Sequence, residues 1–344
     1  MKTFALASSR ILFLCAIMLA GCTHSSLRSA RTVLPTLPLE IANDYSYSKT
    51  GEFDAQIETI EETPRYHARR VTLKAGDGTP GDERRIVTEF YSVRTGEKAP
   101  VVLVLPMSGG GYGLERHFAA YYANRGYSAV IVHRDKLSKE QQAIENLDPM
   151  IHRMILDHRR VIDWLETQPE VDARKVGLFG ISMGGIKGAM LAPLEGRIGA
   201  AVLGLAGGDL PHILAHSTES GVTRRREEFL KARSLSPEQA EAELRKILKR
   251  DPLLYAPYVD PKRVLLVLAR YDTVVPIAKG FELKERMGNP ETIVIPAGHY
   301  SAVLSIPYIK SESFDFMEKR FGEMDSMMPG KTTSGLARTE RRGR

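Results

Sequence analysis

The stretch Lys175-Val176-Gly177-Leu178-Phe179-Gly180-Ile181-Ser182-Met183-Gly184-Gly185 decides how the chain is read. It begins as an apolar run suited to a buried strand, ends in Gly-x-Ser-x-Gly, and passes into helix-compatible residues. A nucleophilic hydroxyl needs that order of elements, because it must stand on a sharp strand-to-helix turn, clear of the sheet. Gly180 and Gly184 remove side chains that would collide across the turn, and the amide of Met183, at the helix start, points to where negative charge develops on a substrate oxygen. Ser182 is therefore the candidate nucleophile and Met183 a candidate oxyanion donor. A glycine-rich turn with a passive serine is the alternative, and the strand before it and helix after it weigh against that.

Short, continuously apolar runs surround this segment: Val101–Leu105, Ser128–Val132, Ala200–Leu205, Val264–Leu268 and Thr292–Ile295. Runs of this length, rich in Val, Ile and Leu, suit strands buried on both faces of a parallel sheet. Tyr66–Leu73 and Arg85–Tyr91 alternate like a hairpin joined by the turn-rich stretch Gly76-Asp77-Gly78-Thr79-Pro80-Gly81. With Lys175–Phe179 this makes eight strands. Between them lie helical patterns, the clearest being Ile151, Met154, Ile155, Val161, Ile162 and Leu165. His158 falls on that stripe and reads as a core or helix-surface histidine. The expected class is α/β, a mostly parallel, doubly wound sheet of about eight strands. Ligands in such sheets bind beyond the carboxyl ends of the strands.

Residues 209–257 break the rhythm and read as a small helical cap insertion, with helices over Val222–Ala232 and Pro237–Lys249. Ser236 is an N-cap with Gln239 at the capping-box position. A surface excursion with no part in the site is the alternative, and Arg224-Arg225-Arg226 reads as a solvated helix face.

A serine hydroxyl needs a base, and the base needs an acid to hold its tautomer. Of nine histidines, His299 alone directly follows a late strand, in Ile295-Pro296-Ala297-Gly298-His299. Asp272 follows the strand before it, in Leu268-Ala269-Arg270-Tyr271-Asp272. Asp209, after the preceding strand, is the rival acid, although it could equally cap the first helix of the insertion.

The order Ser182, Asp272, His299, each at a strand end, resembles the α/β-hydrolase superfamily. Within it the chain is similar to dienelactone hydrolase-like and related prolyl-oligopeptidase-like esterases, over roughly residues 65–320. Asp163-Trp164-Leu165, Val171-Asp172-Ala173-Arg174 and Asn124-Arg125-Gly126-Tyr127 are further matching pieces. Members often carry His-Gly after the third strand; here the sequence is Leu105-Pro106-Met107-Ser108-Gly109-Gly110-Gly111. The resemblance implies that this loop supplies the second oxyanion amide, from Met107 or Ser108, and that no cofactor is required.

Other polar residues say less. His133-Arg134-Asp135 follow the fourth strand, where they could meet substrate or form a structural salt bridge. His117 lies on a crossover helix, and His212 and His216 lie in the insertion. No His/Asp/Glu spacing suggests a metal, and no phosphate loop or dinucleotide fingerprint is present.

The chain has 344 residues, 43% hydrophobic and 26% charged, which excludes wholesale disorder and a polytopic membrane protein. Its net charge of +6 comes from the two ends, Lys2 and Arg10 in front and the segment Lys331–Arg344 behind. A neutral interior argues against a nucleic-acid partner. Residues 1–21 read as a signal peptide: a basic start, then ten apolar residues from Ile11 to Ala20, too few for the about 20 of a membrane span. The end, Leu19-Ala20-Gly21-Cys22, resembles a bacterial lipobox, which implies a chain cut before Cys22 and lipidated, palmitate included, on its sulfur. Cys15 would be removed, leaving no thiol for catalysis or a cysteine zinc site. Residues 22–50 read as a tether, 51–322 as the hydrolase domain and 323–344 as a disordered basic tail. Thr23 is not the aspartate that resembles an inner-membrane retention signal, so the resemblance implies an outer-membrane lipoprotein of the cell envelope.

The expected activity is hydrolysis of a small-molecule carboxylic ester through an acyl-enzyme. The same triad would serve an amidase, thioesterase or peptidase, and a non-catalytic envelope binding lipoprotein on a hydrolase fold is the reading from another class. Oligomeric state cannot be read from the sequence.

Overall fold

In a computed structural model, residues 22–27, 33–49, 52–75, 84–109, 111–134 and 142–327 are described. The expected signal peptide, the hairpin turn, Asp135 and the segment beyond Met327 lie outside them. Ten strands form one sheet among the described residues: β1 Thr23–Ser25, β2 Gln56–Glu62, β3 Tyr66–Lys74, β4 Arg85–Val93, β5 Ala99–Leu105, β6 Ser128–Val132, β7 Val171–Ile181, β8 Ile198–Gly204, β9 Val264–Ala269 and β10 Glu291–Ile295. Their order is β1-β10-β9-β8-β7-β5-β6-β4-β3-β2. The block from β6 through β5, β7, β8 and β9 to β10 is parallel, while β4, β3 and β2 pair antiparallel on one side and β1 on the other.

All eight expected strands are present, and β1 and β2 are additional. β1 has only three residues, and β2 is exposed along its whole length with an irregular register between Thr59 and Glu61. Neither carries a buried alternation that a sequence pattern could reveal. The strand expected as third is thus β5, and the fourth is β6.

β5 shows why continuous apolar runs form the centre. Val101, Leu103 and Leu105 point into one buried cluster, and Val102 and Val104 into the other. Alternate side chains of a strand face opposite sides, so a strand covered on both faces must be apolar throughout. Ile151, Ile155 and Ile162 of the helix Leu147–Glu166 pack into the first cluster, and Phe118, Tyr122, Phe316 and Met317 fill the second.

Among the described residues, parts of the segment read as a tether carry regular structure. β1 pairs with β10, a helix covers Leu39–Asp44, and the Tyr45 side chain is buried with its hydroxyl 2.9 Å from that of Tyr255. The helix Ile306–Ser326 runs past residue 322, and Lys175 pairs with Asp325 at 2.6 Å, so the first residues of the expected tail are ordered structure.

The insertion lies between β8 and β9 and holds the helices Leu210–His216, Ser220–Ala232 and Ala240–Ile247. The expected helix from Pro237 is split into a 3-10 turn, Pro237–Gln239, and Ala240–Ile247, with the Ser236/Gln239 capping box in place. Of the three arginines only Arg224 is exposed; Arg226 donates to the carbonyls of Leu214 and Ser217 and so ties two insertion helices together.

Candidate active site

Ser182 occupies the turn between β7 and the helix Met183–Leu194, at φ 57° and ψ −123°. A side chain rarely adopts this backbone, and it persists only where the surroundings enforce it. Two hydrogen bonds do so: the Ser182 amide donates to Gly204 O at 2.8 Å, and the Ile186 amide donates to Ser182 O at 2.9 Å. The flanking glycines are sterically required. A Cβ on Gly180 would lie 2.4 Å from the Gly184 backbone, and one on Gly184 would lie 2.4 Å from Leu105 O.

The loops after β9 and β10 leave neighbouring parallel strands at one edge and are joined by the Tyr271 amide donating to Ala297 O at 2.9 Å. They bring Asp272 and His299 to Ser182. Ser182 Oγ lies 2.9 Å from His299 Nε2, and His299 Nδ1 lies 2.7 Å from Asp272 Oδ2. Ionised Asp272 accepts only, so Nδ1 carries the hydrogen and Nε2 presents its lone pair to the serine hydroxyl. The other carboxylate oxygen accepts the amides of Val274 and Val275, each at 2.9 Å. The acid is thereby fixed from both sides and is buried.

Asp209 lies elsewhere. Its carboxylate is 2.6 Å from Lys279 Nζ and 2.9 Å from Arg245 Nη1. Nor does its side chain cap the helix it precedes: Asp251 accepts the amides of Asp209 and Leu210 instead. The expected capping role is corrected to that of an ion-pair centre joining the insertion to the helix Ile277–Arg286.

The oxyanion loop also departs from expectation at one residue. The Met107 amide donates to Glu115 Oε1 at 2.9 Å, so it is already committed. Arg134 donates to the Met107 carbonyl, and both polar groups of this peptide residue are pinned. Met183 and Ser108 remain as the candidate donors. The Met183 amide is the first of its helix and has no intrahelical acceptor. Sequence reading missed Glu115, whose position on a crossover helix carries no signal of this contact.

His133 belongs to the structural alternative. It sits 2.9 Å from Glu89 Oε1, which Arg116 also engages at 2.6 Å, and its ring stacks on Tyr112 with 4.3 Å between centroids. Burial alone would raise the Glu89 pKa, but hydrogen bonds from Arg116 and His133 bring it down to about 2. His117 contacts Lys310 at 3.1 Å. His212 and His216, one turn apart, both meet Glu241 Oε2 at 3.0 Å. That three-residue group could hold a metal ion, contrary to the reading from spacing, because Glu241 arrives from a different helix.

A cavity of about 300 Å³ is lined by the candidate oxyanion residues Ser108 and Met183 and by Met150, Ile151 and Met154. The insertion contributes Arg225 to its lining, and the Thr218 hydroxyl meets that of Thr273, next to Asp272, at 3.1 Å. The insertion therefore borders both the cavity and the loop that carries the acid.

Residues 89–223 match the family model described as the Dienelactone hydrolase family. Acetyl xylan esterase 1 from Thermoanaerobacterium sp. JW/SL YS485 is similar with a TM-score of 0.60 at 16% identity, over 83% of this chain and 100% of that one. An acetyl xylan esterase from Paenibacillus sp. R4 gives 0.58 at 18% identity, over 82% of this chain and 99% of that one. An acylaminoacyl peptidase from Pyrococcus horikoshii gives 0.55 at 17% identity, over 79% of this chain and 44% of that one. No curated protein matches the chain. The fold is the α/β-hydrolase fold.

Proposed function

We propose that this chain is a serine hydrolase acting on carboxylic esters through an acyl-enzyme. The observation that carries the reading is the continuous chain of contacts from Ser182 Oγ to His299 to Asp272, at 2.9 and 2.7 Å, on a strained turn with a helix amide beside it. His299 Nε2 accepts the Ser182 proton as Oγ attacks the carbonyl carbon. Asp272 stabilises the imidazolium, and the amides of Met183 and Ser108 bind the oxyanion. Collapse expels the alcohol, which takes the proton from His299. Water then repeats the sequence against the acyl-serine.

The similar structures named as esterases favour esters; the one named as an acylaminoacyl peptidase supports a second reading, cleavage of acyl amides by the same groups. Short-chain aryl esters beside the matched anilides separate the two. Ester turnover with anilide turnover at least about a hundredfold slower in kcat/KM is the expected result, about 2.7 kcal/mol of barrier difference. Anilides cleaved as fast as esters would favour the peptidase reading.

Cys22 is proposed as the acylated anchor on the bacterial outer membrane. β1 begins at Thr23, immediately after it, so an anchor there would leave almost no slack between lipid and sheet. Several acyl chains exceed what stable attachment needs. Cys22→Ala should lose incorporated palmitate and membrane fractionation; acyl labelling that survives in that variant would refute the anchor.

A further inference from the structure

Among the described residues, one group of three histidine and acidic side chains brings its ligand atoms to a common point: His212, His216 and Glu241. His212 and His216 lie four apart on the helix Leu210–His216, so both rings leave one face, with 4.4 Å between their centroids. Glu241 comes from the helix Ala240–Ile247. His212 Nδ1 and His216 Nε2 each lie 3.0 Å from the same atom, Glu241 Oε2. All three ligand atoms lie within 4.8 Å of one another.

Glu241 does not need the histidines to be satisfied. Its other oxygen, Oε1, lies 2.5 Å from Arg245 Nη2, one turn along the same helix. That contact fixes the carboxylate and leaves Oε2 turned to the rings, as outer partners of metal ligands do. Arg245 standing alone would repel a dication, but Asp209 lies 2.9 Å from its Nη1 and offsets that charge. Two ring nitrogens and one carboxylate oxygen form a donor set for a transition metal such as zinc, whereas magnesium and calcium take oxygen ligands. Zinc bonds of about 2.0–2.2 Å in a tetrahedron set neighbouring ligand atoms about 3.3–3.4 Å apart. Two edges of that tetrahedron are nearly in place at 3.0 Å, and the third closes by rotation of two partly exposed rings. His216 is the more exposed of the two and leaves the fourth corner open to water.

We propose that His212, His216 and Glu241 bind a zinc-type divalent cation, with water at the fourth position, and that the ion clamps these two insertion helices together. His216 and Glu241 are 25 positions apart, and the span between them holds the helix Ser220–Ala232. Arg225 of that helix lines the cavity beside Ser108 and Met183. The ion closes this span into a loop and so steadies one side of the cavity. The site does not depend on the esterase reading, and its test reads binding and local opening rather than turnover.

Calorimetric titration of the chelator-stripped protein with zinc chloride should give one ion per chain with a micromolar Kd, and millimolar magnesium or calcium should not compete. The side chain at His216 is 56% exposed, so His216→Ala should fold; it should weaken binding by about a hundredfold or more, the upper scale for losing even an outer partner. His117→Ala, outside the insertion, should bind as the unaltered protein does. Zinc should slow trypsin cleavage within Ser220–Ala232 in the unaltered protein and leave it unchanged in His216→Ala. Anomalous scattering from zinc-soaked crystals of the unaltered protein should place the ion about 2.1 Å from the three ligand atoms, a readout that does not depend on the folding of any variant. Absence of binding below millimolar zinc, equal binding in His216→Ala, or an ion on His299 and Asp272 instead would overturn the site. Binding at the site with no slowing of trypsin would overturn the clamp.

Discussion

Ser182→Ala is expected to lower kcat by about 10⁵–10⁶-fold and to abolish covalent labelling by fluorophosphonates. Alanine fits where the serine stood. The turn at Ser182 is enforced by its backbone bonds to Gly204 and Ile186 and by the close approach of Gly180 and Gly184, none of which uses the hydroxyl. The variant should therefore unfold within a few degrees of the unaltered protein. Removing Oγ removes the atom held 2.9 Å from His299 Nε2, so the base has no nucleophile to activate. Retention of more than about a tenth of the esterase activity would place the nucleophile elsewhere.

Asp272→Asn and Asp209→Asn should fail in different ways. An asparagine at 272 can keep the amides of Val274 and Val275 on its oxygen, but it then turns its NH₂ group toward His299 Nδ1. The ring must present a lone pair at Nδ1, Nε2 becomes the protonated nitrogen, and the serine loses its acceptor. A loss on the order of 10⁴ in kcat near neutral pH follows, with the fold intact. Asp209 is the counter-ion of Lys279 and Arg245, and neither of those touches the Ser182–His299 pair. Its amide variant weakens two ion pairs, but Lys279 keeps Glu282 and Arg245 keeps Glu241, so thermal stability should fall by only about 1 kcal/mol and kcat should stay within about tenfold. Exchange of the two kinetic outcomes would transfer the acid to Asp209.

The central sheet and the three aligned residues are legible in the sequence because each leaves a local mark. Strands buried on both faces must be continuously apolar, and a nucleophile on a strand-to-helix turn needs glycine at fixed offsets. What is hidden depends on contacts between distant segments. The Glu115 carboxylate reaches the Met107 amide from a crossover helix, and this removes one of the two candidates for the second oxyanion donor. Asp251 takes the capping role that Asp209 seemed to hold, across 42 positions of sequence. β1 and β2 escaped notice for a different reason: edge strands bury little, so hydrophobic pattern says nothing about them.

The most direct measurement is mass spectrometry of the protein quenched during ester turnover and digested. An acyl-enzyme on Ser182 requires one acyl group per chain, carried by the peptide that contains Gly180 to Gly185, and its absence from Ser182→Ala. An acyl group on any other residue, or the same adduct persisting in Ser182→Ala, would contradict the assignment.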